Sequence, residues 1–209
     1  MGKEFCLMKR AVRKFYTLVE IMTVIVIAAI LFGIGIPAFT TMIQGSNMTV
    51  AIRQLSAKIQ AARAYAVTNR CKVAVLLPEV VENSVGTKKD DCCFSAYRVC
   101  VVDSANAFQE WIEDENWKTL PNGIYRESVS NTKSVKVDAT DIGGKDIGYP
   151  ALIFDNKGQL VDVSGNPVIL LRQGRYVNGQ KIPTGGTDHQ LTVNQYSGKV
   201  TVAIPSSGS

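Results

Sequence analysis

Four cysteines, one acid beside an apolar run, a lone histidine and a cluster of carboxylates are the residues here that could do chemistry. Cys71, Cys92, Cys93 and Cys100 permit two disulfides if the segment holding them is exported. A zinc site would need a second closely spaced pair or histidines beside them, and neither is present, so no metal is expected. Adjacent cysteines strain a disulfide, which argues against Cys92 bonding to Cys93. Bridges are therefore expected among Cys71, Cys100 and one of Cys92 or Cys93, with the partners open.

The other reactive residues lead nowhere catalytic. His189 is the only histidine and follows a Gly-Gly-Thr-Asp loop, and no serine sits in a nucleophile elbow. Glu110, Glu113, Asp114 and Glu115 lack the spaced ligands and turn glycine of a calcium loop and read as a solvated hairpin region. Gly143-Gly144-Lys145 lacks the spacing of a phosphate loop. Neither an enzyme nor a cofactor is expected.

Glu20 is different, because of where it stands. From Ile21 to Phe39 the chain reads IMTVIVIAAILFGIGIPAF, and no charged residue occurs between Glu20 and Arg53. At 1.5 Å rise per residue such a run can cross a hydrocarbon core of roughly 30 Å. A plain anchor gains nothing from a carboxylate at its edge, and charges in membrane segments usually have a partner. The alternative is a carboxylate that snorkels to the headgroups.

The elements that position Glu20 begin with the basic segment before it. Of the formal net charge of +5, residues 1–15 supply +4, from Lys3, Lys9, Arg10, Arg13 and Lys14 against Glu4. Basic residues beside an apolar span hold that end in the cytoplasm and send the following chain across. The nearly neutral remainder lacks the basic face that nucleic-acid binding requires. A secretory signal peptide fits poorly, since its apolar region is shorter and ends at a small-residue cleavage site, whereas here an amphipathic stretch follows.

The string Tyr16-Thr17-Leu18-Val19-Glu20-Ile21-Met22 before an apolar helix resembles the class III signal of type IV pilins and type II secretion pseudopilins. In that family a basic leader is removed before an aromatic or apolar residue, the new N-terminus is methylated, and a glutamate stands at mature position five. The resemblance makes Tyr16 the first mature residue, residues 1–15 the leader, and Glu20 the acid of assembly. Phe15 stands where the family usually carries glycine, which implies either a prepilin peptidase of altered preference or an uncleaved chain. The intact remainder of the motif favours the former.

Beyond the span, Gly33, Gly35 and Pro37 interrupt the helix, and Gly45-Ser46-Asn47 weaken it again. Ile52, Leu55, Ile59, Ala62 and Ala66 then recur at steps of three and four, the stripe of a helix that packs on a sheet. After Cys71 the pattern turns to short β-rich runs separated by Pro121-Asn122-Gly123, Asn156-Lys157-Gly158, Ser164-Gly165-Asn166 and Ser197-Gly198. The strings Ala62-Arg63-Ala64-Tyr65-Ala66, Ile153–Gly158 and Leu191-Thr192-Val193-Asn194 with Ser197–Val200 look, in their order, like the GspH/FimT branch.

The expected architecture is α+β: a long N-terminal helix, transmembrane in its first half and amphipathic in its second, packed on a small antiparallel β-rich domain. Its divisions are a leader (1–15), a membrane and assembly helix (16–44), an amphipathic helix (45–70), a β-rich domain (71–205) and a flexible tail (206–209). The resemblance implies a minor pseudopilin or minor pilin. It would sit in the bacterial inner membrane as a single pass, with the leader cytoplasmic and the domain periplasmic. Its partners would be other pilins or pseudopilins, the prepilin peptidase and inner-membrane lipid. The rivals are a membrane-anchored periplasmic binding module or enzyme on an uncleaved anchor, and a major pilin. Intact-mass measurement of protein from the native host is expected to show loss of residues 1–15, with or without an added methyl group. A mature chain beginning at Met1 would establish an uncleaved anchor.

Overall fold

The computed structural model describes residues 17–79, 92–137 and 147–205, without the side chains of 34–45 and 147. The chain divides into two compact units, Met1–Ile43 and Gln44–Ser209, and the division falls inside the one helix, α1 (Leu18–Asn69). The leader, the Gly143-Gly144-Lys145 string and the tail lie outside the described residues.

Within the first unit, α1 carries apolar residues on every face. Leu18, Val19, Phe32 and the large apolar side chains between them are about half to three-quarters exposed, from 48% at Ile21 to 77% at Leu18. Within the second unit the helix is striped. Met48, Ala51, Leu55, Ile59, Ala62 and Ala66 are all at most 2% exposed, at the three-and-four spacing of one helical face, and Ile52 is partly buried beside them.

Among the described residues eleven strands follow: β1 (Lys72–Leu76), β2 (Ala96–Val102), β3 (Phe108–Trp111), β4 (Lys118–Thr119), β5 (Ile124–Ser130), β6 (Lys133–Val137), β7 (Ile147–Phe154), β8 (Val168–Val177), β9 (Gln180–Pro183), β10 (His189–Val193) and β11 (Val200–Ala203). They form two antiparallel sheets. The first has the order β3-β2-β1-β7-β6, with β4 paired to β2; the second has the order β11-β10-β8-β5, with β9 paired to β8. An all-antiparallel β-rich unit behind a helical stripe agrees with the α+β expectation.

The β-rich runs read from sequence are Lys72–Leu77, Phe94–Val102, Phe108–Ile112, Ile124–Glu127, Ser134–Val137, Ala151–Asp155, Pro167–Arg172, Leu191–Asn194 and Lys199–Ile204, and the two strands they leave out, β4 and β9, have identifiable reasons. At two residues, β4 is too short for any period to register. The turn into β9 is Asn178-Gly179, with φ of 50° and 85°, the left-handed pair that a tight hairpin demands and the strongest short hairpin signal a sequence can carry.

Strand β1 organises the core. Val73 and Val75, with Leu77 just beyond, face the helical stripe and join Ile124, Ile169, Leu171, Leu191 and Val193 of the second sheet. The alternate residues Ala74 and Leu76 face a second cluster with Cys100, Val135, Val137, Tyr149, Ala151 and Ile153. A strand buried on both faces has no polar position to alternate with, so its sequence is a continuous apolar run.

The two sheets are joined by a buried cation. Arg126 on β5, 2% exposed, donates from Nη2 to the carbonyls of Leu77 (2.8 Å) and Pro78 at the end of β1, and from Nη1 to Ala96 of β2 (3.4 Å). Its backbone N–H also donates to Phe94 (2.8 Å). Burial pushes the guanidinium down to about 10, which still leaves it cationic at neutral pH. Truncation would orphan these carbonyls in a dry site, so Arg126→Met is expected to cost about 3 kcal/mol in urea denaturation of the full chain in detergent. A change within error of zero would show that Arg126 does not hold the sheets together.

Candidate functional site

The acid singled out by sequence, Glu20, stands in the first turn of α1. Thr17 precedes the helix, and its Oγ1 accepts a hydrogen bond from the Glu20 backbone N–H at 3.2 Å. Ile21 N–H donates to the Thr17 carbonyl (3.2 Å), and Thr23 Oγ1 donates to the Glu20 carbonyl (2.9 Å). Thr17-Leu18-Val19-Glu20 therefore has the Thr-x-x-Glu spacing of a capping box, which the sequence reading did not extract from this string. A carboxylate in the first turn is also favoured by the helix dipole. Its side chain is exposed, as are the apolar residues that follow. Phe15 and Tyr16, where processing is expected, lie outside the described residues, and so does Cys6.

Among the described residues no helix is long and apolar enough to cross a membrane. The described side chains of the apolar run end at Gly33.

None of Cys71, Cys92, Cys93 and Cys100 is in a disulfide. The sheet register shows why Cys71 cannot join the others. Ala74 lies opposite Cys100 and Lys72 opposite Val102, so Cys71 sits roughly 10 Å from Cys100 along the strand direction, at about 3.3 Å per residue. A disulfide tolerates Cα atoms no more than about 7 Å apart. The two also pack on opposite faces of the first sheet, Cys71 against the helical core and Cys100 inside the second cluster. Cys92 and Cys93 precede the far end of β2, further still. In this register Cys71 lies beyond the span of a bridge to Cys100. Burial raises the Cys71 thiol and pushes Cys100 up to about 12, so neither is a reactive thiolate.

The acid run separates into unlike parts. Glu110, Glu113 and Asp114 are exposed, whereas Glu115 binds Lys58 of α1 at 2.6 Å, with both side chains 14% exposed. Its backbone carbonyl accepts from Arg98 Nε (2.8 Å), and the Arg98 guanidinium lies 3.6 Å from the Trp111 ring centroid. That region is a solvated hairpin only in part, since Glu115 ties it to the helix. His189 Nδ1 lies 3.2 Å from the Thr187 carbonyl. Next to it, Asp188 takes a two-pronged bond from Arg172 (3.0 and 2.6 Å), which holds its carboxyl below the usual range. Arg172 also pairs with Glu127 (3.3 Å), and Lys181 lies 3.7 Å from the same carboxylate. This network brings together residues the sequence reading did not connect, because their partners are far apart in sequence.

A groove of about 730 Å³ is lined by Cys92, Cys93, the 119–125 segment and β8–β9 residues including Arg175 and Tyr176. Among the described residues its lining holds no histidine, carboxylate or lysine. Phe94 beside it holds a φ of 56°, unusual for a bulky residue, stacked on Tyr176 at 5.1 Å between centroids with Lys181 Nζ 4.2 Å from its ring. Among the described residues no group of His, Cys, Asp and Glu could hold a metal ion. For the thiols, peptide mapping after alkylation of denatured, unreduced protein is expected to find Cys71 modified. Cys71 recovered in a bridge to Cys92, Cys93 or Cys100 would overturn the register argument.

No protein-family model matches the chain, and no curated protein matches it. Among solved structures, it is similar to the type IV minor pilin FimU of Pseudomonas aeruginosa, at 14% identity over 78% of this chain and 90% of that one, with a TM-score of 0.45. A second crystal form of FimU gives 16% identity over 73% and 90%, at 0.42. It is also similar to the minor pseudopilin EpsH from the type II secretion system of Vibrio cholerae, at 12% identity over 78% and 98%, with a TM-score of 0.44.

Proposed function

We propose that this chain is a structural subunit, a minor pseudopilin or minor pilin, and not an enzyme. The apolar N-terminal helix inserts in the bacterial inner membrane and later enters a bundle of similar helices in a type II secretion pseudopilus or type IV pilus. The basic leader stays cytoplasmic until a prepilin peptidase cuts between Phe15 and Tyr16, and the β-rich domain faces the periplasm.

The observation that carries this reading is the contrast within α1. From Met48 to Ala66 the helix buries one stripe, as a helix does in water. From Leu18 to Phe32 it is apolar all round and exposed all round. Burying each such side chain is worth about 1.5–3 kcal/mol, so together they make a water-exposed resting state prohibitive. Lipid tails, and then neighbouring apolar helices, supply what the domain does not.

Glu20 gives that bundle a register. In the bundle its carboxylate is on the fifth residue of the mature chain and can meet the amine of Tyr16 on its own or an adjacent subunit. Pairing opposite charges offsets a desolvation cost that each would bear alone, and it favours one axial alignment. The capping role of Thr17 is separable, because the Glu20 bond to Thr17 uses the backbone N–H and survives substitution of the side chain. Glu20→Leu and Glu20→Gln are expected to insert normally, since removing a charge makes the span more apolar. They are expected to be recovered poorly in sheared filaments or pseudopilus complexes. Recovery of Glu20→Leu equal to wild type at equal membrane abundance would refute the register role.

A further inference from the structure

Most charged residues around the core have partners: Lys58 with Glu115, Arg172 with Asp188 and Glu127, and Arg126 with three carbonyls. Two cations on one groove have no acid partner among the described residues. Arg63 of α1 and Lys199 at the start of β11 line a shallow groove of about 450 Å³ together with Ser56, Gln60, Ser197 and Val200. Among the described residues no acid lines it and neither cation is ion-paired.

Arg63 is held in place by a cradle. Its Nε donates to the Gly158 carbonyl at 3.0 Å. Gly158 and Gly198 have φ of 77° and 62°, and a Cβ added to either would meet the Arg63 side chain, at 2.9 Å from Nε and 2.5 Å from Cδ. The two glycine turns thus admit the arginine stem between them, while Gln60 Nε2 secures the second turn through the Gly198 carbonyl (2.7 Å). With stem and Nε fixed, the terminal amino groups remain as a pre-positioned fork, the geometry that suits a carboxylate. Ser56 Oγ, buried in the groove wall, has no hydrogen-bond partner.

We propose that this groove docks an acidic side chain, Asp or Glu, carried on a segment of a partner protein. Charge complementarity selects the acid: two unneutralised cations with no carboxylate among the lining. A protein segment is favoured over a free anion because the cations stand beside exposed apolar surface. Tyr196 is 68% exposed, and Val200 of the lining leads into Val202 (43%) on β11, which among the described residues pairs with β10 alone. A small anion would leave that surface in water, whereas an acid flanked by apolar residues covers both. The inference does not depend on the filament reading, since the groove lies wholly within the second unit and admits a partner of any assembly.

The test places photoreactive benzoylphenylalanine at Tyr196 in the full chain, expressed in its native host and irradiated in membranes. The expected result is one adduct whose partner peptide contains Asp or Glu and whose yield falls about tenfold in Lys199→Glu and in Arg63→Gln, as for loss of an interface charge pair. Replacing the mapped acid by Lys should restore the adduct in the Lys199→Glu chain. Lys199 is exposed, so its variant keeps the test independent of any misfolding of Arg63→Gln. Absence of an adduct, an adduct indifferent to Lys199→Glu, a partner peptide without an acid, or failure of the charge swap to rescue would each overturn the proposal.

Discussion

Strand β1 is buried on both faces, and the rest of the second unit is arranged to satisfy that demand. One face needs the helical stripe of α1 and the inner side of the second sheet; the other needs the cluster around Cys100, Val137 and Tyr149. Removing either layer would expose Val73 and Val75 or Ala74 and Leu76 to water. The antiparallel neighbours β2 and β7 meet the remaining requirement, by pairing both backbone edges of a strand that has no access to solvent.

Burial on this scale leaves little room for charge, and the charges that remain near the core are handled one by one. Arg126 replaces the water it loses with backbone carbonyls at the ends of β1 and β2, and so converts a desolvation cost into a tie between the sheets. Lys58 and Glu115 tie the β3–β4 connection to the helix, with Arg98 stacked on Trp111 beside them. Against that pattern the groove of Arg63 and Lys199 stands out, because its arginine is braced as carefully as the buried ones yet presents its fork to solvent.

The first unit follows a different rule. A helix apolar on all sides gains nothing from water, and its one acid sits where the dipole and a Thr17 cap already favour negative charge. Glu20 is therefore compatible with the isolated helix and still available to a cation from outside it.

Sequence alone determined the elements whose signal is local. The apolar run, the basic segment before it, the helical stripe through Leu55, Ile59, Ala62 and Ala66, and nine of the strands are legible because hydrophobic period and turn chemistry depend only on near neighbours. The Thr17 cap and the Asn178-Gly179 hairpin are local signals of the same kind, written in the spacing Thr-x-x-Glu and in an Asn-Gly pair. Tertiary structure alone decided the rest. Which cysteines can meet depends on strand register, and Ala74 opposite Cys100 places Cys71 out of reach. The ligands of Arg126, the pairing of Lys58 with Glu115, and the closure of two glycine turns around Arg63 join residues 30 to 138 positions apart. No local pattern encodes such meetings, because they are consequences of how the sheets and helix pack and not of what stands beside each residue in the chain.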